Sequence, residues 1–288
     1  MPSFRRIDLH LHTTISDGSD TPQALLALVR QAGIGLFSVT DHDALKAGRI
    51  IPPLLSGDDP AFLTGVEFSC RDAQGKYHIL GYGFDPEAAP ITSVVGKGHQ
   101  LRMDKVQARL AFLRSEFGFS FPQEELDRLL ALDNPGKPHI GNLMVQYGYA
   151  RTKEEAIRDY INLLHLPGAY IRPEEAIAAI LGSGGVPVLA HPAYGDGEQR
   201  ITGRELETRV QRLMDFGLKG LEAFYSGFSP ELRREVLRLA ERNRLYATAG
   251  SDYHGTNKQV KLGDTGLGGP EEWPDSLRQF LADTGHWT

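Results

Sequence analysis

The chain has 288 residues, 41% apolar and 24% charged, with a formal net charge of −6, which describes a globular protein large enough for one barrel-sized domain, or one domain plus an insertion. The negative balance argues against a broad basic surface for long duplex nucleic acid, while bound metal ions would still admit small phosphorylated ligands. A single cysteine, Cys70, excludes an internal disulfide framework; with no signal segment before the first strand and no membrane-length apolar run, a cytoplasmic protein that avoids membranes is expected.

The first element is Ile7-Asp8-Leu9-His10-Leu11-His12, an apolar run that reads as a buried strand. Strand side chains alternate between faces, so His10 and His12 point the same way, about 7 Å apart. Buried imidazoles need polar partners, and either structural hydrogen bonds or a divalent metal would serve. Thr21-Pro22 then starts a helix: Thr21 caps it, Leu25, Leu26, Leu28 and Val29 form its apolar face, and Gly33 stops it. Strands are expected over residues 36–40, 62–66, 77–82, 186–190, 220–225 and 246–249. They lead respectively into Asp41-His42-Asp43 and Glu67, carry His78, deliver His191-Pro192, carry Glu222, and run into Ser251-Asp252-Tyr253-His254.

Helical patterns lie between the strands. Thr202 with Glu205 matches a capping box, and Ser229-Pro230-Glu231 marks another helix start. The alternation argues for an α/β architecture with a mainly parallel sheet. Residues 99–165 differ, with no strand signal and helices expected over 100–117, 123–132, 140–147 and 153–164, the last capped by Thr152 with Glu155. This segment reads as a helical insertion capping the site of a barrel built from residues 1–98 and 166–288.

Nine residues at or near strand ends carry the chemistry: His10, His12, Asp17, His42, Glu67, His78, His191, Asp252 and His254. Singly, each has an ordinary explanation: Asp17 in a turn, Asp252 as a cap, His78 as a satisfied core histidine. Together they would be hard to satisfy without a metal. Nitrogen and oxygen donors with no cysteine favour Mn, Fe or Zn in an open catalytic cluster over a closed structural zinc site.

The pattern His10-x-His12 with Asp17-Gly18, Thr40-Asp41-His42, Gly65-Val66-Glu67, His78, Ala190-His191-Pro192 and Gly250-Ser251-Asp252-x-His254 resembles the polymerase and histidinol phosphatase (PHP) family. The insertion resembles its TrpH-type branch. The resemblance covers nearly the whole chain outside the insertion, and all nine family positions are filled. It implies a distorted (β/α)7 barrel holding three divalent metals, Mn2+ first, with Fe2+ or Zn2+ also suited. One metal would take His10, His12, Glu67 and Asp252; a second would take Glu67, His78 and His191; a third would take Asp17, His42 and His254. It further implies removal of the 3′-phosphate from nucleoside 3′,5′-bisphosphates, giving 5′-AMP from the adenosine compound, by in-line attack of metal-bound hydroxide. Release of mononucleotides from the 5′ end of short RNA is the alternative within the same chemistry.

The third group, Asp17, His42 and His254, is the candidate for assisting the leaving 3′-oxygen. Substrate binding falls to Arg102, Lys137 and His139 in the insertion, Arg172 just after it, and Tyr225. Lys137-Pro138-His139 resembles the Arg-Pro-His element of the TrpH-type branch, with a point charge replacing the bidentate fork. Phe224, Tyr225 and Phe228 offer rings to a base, and Glu222 reads as an orienting partner or a ribose ligand. Histidinol-phosphate phosphatase, a C–N-cleaving amidohydrolase and a non-catalytic PHP module remain as rival readings.

Overall fold

The computed structural model describes residues 4–166, 168–195 and 200–286. A first sheet holds three parallel strands, β1 (Ile7–Leu11), β2 (Leu36–Val39) and β3 (Ala61–Phe62). A second holds β4 (Gly65–Asp72), β5 (Gly75–Tyr82), β6 (Val186–Leu189), β7 (Gly220–Tyr225) and β8 (Tyr246–Gly250), in that order. The α/β class expected from the sequence is observed. The sheet is less uniformly parallel than expected, because β5 runs antiparallel to both β4 and β6. A two-residue turn joins β4 to β5, with the Gln74 amide on the Asp72 carboxylate at 2.8 Å; so short a connection can only make a hairpin.

The strand expected over residues 62–66 is in fact the end of β3 and the start of β4. The chain crosses between the sheets at Gly65, where a Cβ would lie 2.1 Å from Ser38 Oγ. Glu67 therefore sits inside β4 rather than beyond a strand end. Backbone bonds link the two sheets at both edges. His12 N donates to Tyr253 O at 2.9 Å and Asp252 N to His10 O at 2.8 Å at one seam; Asp43 N donates to Glu67 O at 3.0 Å at the other. Most of the metal-type residues lie along these seams.

Helix α1 (Pro22–Gln31) starts as expected, Thr21 accepting from Ala24 N, and buries Leu25, Leu26 and Val29 beneath the first sheet. α2 (Lys46–Ile50) follows β2. α7 (Pro173–Gly182), α8 (Gly203–Asp215), α9 (Pro230–Arg242) and α10 (Asp275–Asp283) accompany the second sheet. Ser229 caps α9 through Leu232 N. The capping box expected at Thr202 does not form: Thr202 makes no side-chain cap bond. The Gly203 amide bonds instead to Glu235 of α9 at 2.7 Å, so a tertiary carboxylate takes the cap's place.

Among the described residues no strand lies between β5 and β6. α3 (Ala89–Phe117), α4 (Gln123–Leu130), α5 (Lys137–Gln146) and α6 (Lys153–Glu155) fill the interval, α6 passing into a π turn and a 3-10 turn that end at Leu163. α3 starts eleven residues before the expected 100, with Pro90 in its first turn, and runs unbroken through His99. Its first part buries Ile91 in the main core, whereas Val106 and Leu113 join a separate cluster with Leu129, Ile140, Met144 and Ile161. No helix of the described residues is long and apolar enough to cross a membrane.

Candidate metal centre

Glu67 lies at the middle of the site, 1% exposed. Its Oε2 faces His10 Nε2 at 3.3 Å, His12 Nε2 at 3.2 Å and His42 Nδ1 at 3.1 Å. Its Oε1 faces His78 Nδ1 at 2.8 Å and His191 Nε2 at 3.3 Å. Asp252 Oδ1 stands 3.4 Å from His10 Nε2, His12 Nε2 and His254 Nδ1. Asp17 reaches His254 Nε2 at 3.3 Å and His42 Nε2 at 3.9 Å. All nine residues singled out in the sequence thus converge. His12 also joins the Asp17 end, its ring stacked 4.0 Å from that of His254.

The orienting contacts decide which imidazole nitrogen faces the centre. His10 Nδ1 donates to Glu222 Oε1 at 2.8 Å, and Glu222 Oε2 accepts from His191 N at 2.8 Å. His12 Nδ1 donates to Ser16 Oγ at 3.3 Å, whose hydroxyl donates to Asp41 Oδ1 at 2.7 Å. Asp41 is fixed further by Thr13 N and Oγ1. His254 Nδ1 donates to Asp252 O at 2.9 Å. With each Nδ1 used outward, Nε2 of His10, His12 and His254 presents a lone pair inward.

These inward atoms suit divalent cations. His10 Nε2, His12 Nε2 and His42 Nδ1 are buried without a hydrogen-bond partner, although carboxylate oxygens stand close by. Buried polar atoms are rarely left so. Three groups of donor atoms each lie within 4.8 Å of one another: His12, Asp17, His42 and His254; His10, His12 and Glu67; His42, Glu67 and His78. The titration behaviour agrees. Burial opposes charge on His10 and His12, yet Glu222, Glu67 and Asp252 hold His10 well above the usual imidazole range, and Asp252 and Glu67 push His12 up to about 9. Burial also opposes ionisation of Glu67, but His78, His42 and His10 hold it well below the usual carboxylate range. In His78 burial wins, pushing it down to about 4. The site favours positive charge at its middle, which protons on His10 and His12 supply and which a bound metal would supply in their place.

The backbone is bent to deliver these groups. Asp43, His191 and Asp252 have φ of 48°, 28° and 58°, in a region that residues other than glycine seldom adopt. Gly250 lets β8 approach β1, since a Cβ there would lie 2.2 Å from His10 Cβ and 2.4 Å from Glu222 Oε1.

A cavity of about 1000 Å³ opens onto the cluster. Lys137 and Tyr225 line it. Tyr225 donates to Asp252 Oδ2 at 3.0 Å, and Lys258 Nζ donates to the Tyr225 oxygen at 3.0 Å and also to Asp252. The other residues singled out for substrate binding lie off the cavity wall. Arg102 is buried and bonded to Asp43 Oδ2 at 2.7 Å and Ser69 Oγ at 3.1 Å. His139 Nδ1 accepts from Gly136 N at 3.0 Å and so fixes the start of α5. Arg172 is exposed and paired with Glu174 at 2.5 Å. Phe224 and Phe228 are buried in the main core; Tyr194, stacked on Phe228, joins Tyr225 on the wall. Lys258, Arg109 and Tyr170 line the cavity without having been singled out. Of the three only Arg109 had a sequence signal, the 102/105/109 spacing of α3, and it reads equally as a solvated face.

No family profile matches the chain. Among curated proteins, the 5′-3′ exoribonuclease Rnm of Salmonella typhimurium is 28% identical over 264 residues, covering 89% of this chain and 87% of the relative. The 3′,5′-nucleoside bisphosphate phosphatase of Chromobacterium violaceum is 28% identical over 294 residues, covering 94% of each. A solved structure from Bifidobacterium adolescentis, described as a metal-dependent phosphoesterase, superposes with a TM-score of 0.77 at 28% identity over 98% of both chains. These relatives, this fold and this donor cluster together make the chain similar to metal-dependent phosphoesterases and support a PHP family protein.

Proposed function

We propose that the protein is a phosphatase that removes the 3′-phosphate from nucleoside 3′,5′-bisphosphates, turning adenosine 3′,5′-bisphosphate into 5′-AMP and phosphate. The observation that carries this reading is the division of five imidazoles between the two oxygens of Glu67, which suits a carboxylate lying between neighbouring ion sites. We assign three divalent ions, Mn2+ first. His10, His12, Glu67 and Asp252 would hold one; Glu67, His78 and His191 another; Asp17, His42 and His254 the third. When bound, such ions bring the pKa of water toward neutrality and neutralise charge on phosphoryl oxygens.

The rest falls to the chain's own residues. Glu222 and the Ser16–Asp41 pair keep His10 and His12 in one tautomer. Tyr225 and Lys258 fix Asp252. Lys137 supplies a cation for the nucleotide 5′-phosphate. Asp17, His42 and His254 form the end nearest the departing 3′-oxygen. In this reading the two sheets, joined at their seams, make the distorted (β/α)7 barrel of the family, and residues 99–165 cap its mouth.

Release of mononucleotides from the 5′ end of short RNA is the second reading. It cuts the same 3′-oxygen–phosphorus bond, and the cavity of about 1000 Å³ favours it, being at the upper end for small-molecule sites. A C–N-cleaving amidohydrolase is disfavoured by a carboxylate, Glu67, at the position where such sites usually bridge two metals with a lysine. Phosphate and mononucleotide release with Mn2+ tests the assignment on adenosine 3′,5′-bisphosphate, a 5′-phosphorylated dinucleotide and histidinol phosphate. Turnover of the bisphosphate is expected; inactivity on both nucleotides contradicts it.

A further inference from the structure

α3 carries Arg102, Lys105 and Arg109 on one face, at helical spacing of three and four. All three are buried, at 8%, 7% and 5% exposure. Only Arg102 has a carboxylate partner, Asp43. Among the described residues no carboxylate pairs with Lys105 or Arg109; Lys105 Nζ lies 3.8 Å over the Tyr170 ring, and Arg109 Nε has no partner at all. Buried cations are rarely left without counter-charge. Arg109 and Tyr170 both line the cavity that holds the metal cluster.

The β4–β5 hairpin brings two more cations to the same place. Glu67, Ser69 and Arg71 share one face of β4, and Ser69 pairs with His78 as Arg71 pairs with Lys76. The Arg71–Lys76 rung is thus one two-residue step, about 6.8 Å, beyond His78, a spacing comparable to that of successive phosphates in a polynucleotide. Both residues line the cavity. Arg71 N bonds to Ile171 O at 2.9 Å, which places Tyr170 beside this rung. The opposite end of the cluster has its own cation: Lys153 donates to Asn257 O at 2.7 Å, and Asn257 donates to Asp17 O at 2.9 Å. Cations therefore flank the cluster on both sides.

We infer that Lys105, Arg109, Tyr170, Arg71 and Lys76 form a second anion subsite, on the His78 side of the cluster, for the phosphate that follows the scissile one in an oligonucleotide. This rests on the reading above, in which the 5′-phosphate is taken at the Lys137 end. A substrate with phosphates on both sides of the scissile group fills both flanks; a bisphosphate fills one.

The test compares a 5′-phosphorylated dinucleotide with and without a 3′-terminal phosphate, in wild type and in Arg109→Gln, with Mn2+. The added phosphate is expected to lower the wild-type KM about tenfold. It should also steepen the dependence of log kcat/KM on log salt by about 0.7, the contribution of one contacted phosphate on a single strand. Arg109→Gln should collapse the ratio of the two KM values to near one and remove the extra salt slope, without a lower melting temperature. A wild-type ratio near one, or a ratio that survives the substitution, overturns the subsite; an equal KM rise on adenosine 3′,5′-bisphosphate overturns its assignment to the following phosphate. If Arg109→Gln does not fold, Lys76→Gln on the half-buried rung makes the same comparison. Should wild type turn over neither dinucleotide, the oligonucleotide reading fails while the bisphosphate reading stands on its own assay, and the subsite is read by melting temperature in inorganic sulfate. Sulfate is then expected to raise wild type more than Arg109→Gln, and equal shifts overturn the subsite.

Discussion

The metal cluster and the α3 cation stripe meet in one cavity but are balanced in different ways. In the cluster, every charged group has an opposite: three carboxylates, Asp17, Glu67 and Asp252, face six imidazoles, with Glu222 and Asp41 behind them. On α3, three buried basic side chains have one carboxylate partner among them, Asp43, and it is taken by Arg102. The converging donor atoms of the cluster call for cations at its middle, and the basic groups of the stripe call for an anion at its open end. The difference teaches that charge imbalance, more than shape, marks where ligands belong in this molecule.

The largest effect should come from the middle of the cluster. Glu67→Gln removes the carboxylate shared by both imidazole groups and is expected to lower turnover at least about 10³-fold, on the scale of losing a central electrostatic group. Phosphate release and metal content should fall together; normal metal content with lost activity would mean that Glu67 does not bind metal. Next comes the paired end of the stripe. Arg102→Gln leaves Asp43 buried without its partner and should cost about 3 kcal/mol in denaturant unfolding. Arg109→Gln should cost less than about 1 kcal/mol, because no carboxylate is left behind. Equal losses would erase the contrast between paired and unpaired cations.

Glu222→Gln tests the cluster's supporting contacts more gently. Freed from its carboxylate, His10 should bind metal about 10- to 100-fold more weakly, read by metal titration, while the fold persists. The smallest effect is one of pH. In the metal-stripped protein the His12 pKa is raised to about 9, above its unfolded value near 6.5. Its contribution to stability is therefore complete below about 6.5 and is lost as pH rises through 9. Melting temperature should fall across that window without metal and stay flatter with Mn2+; parallel curves would show that the metal does not take the proton's place.

The cluster was legible in the sequence because its residues sit in short local patterns, such as His10-x-His12 and Asp252-x-His254, that a strand or its following turn displays directly. The α/β class was legible for the same reason. The hairpin was not: Ala73 and Gln74 carry no strong turn signal, so the antiparallel β5 could not be told from a parallel strand. The start of α3 was missed because Pro90 and Gly96 interrupt its helical pattern, although Pro is at home in a first turn. Arg102 looked like a phosphate ligand until Asp43, 59 residues earlier, was seen to claim it. Arg109, Lys76 and Tyr170 lie on α3, on β5 and in the loop before α7, and no single-stretch pattern connects them. Asp41 stood beside His42 in a recognised motif, yet its role in fixing Ser16 and Thr13 depends on side chains 25 and 28 residues away.

The central claim is that these donors form a multi-metal phosphoesterase site. Titration of Mn2+ into metal-stripped protein, with bound metal counted per chain, tests it most directly. Three ions per chain are predicted; one ion, or none, would contradict the account.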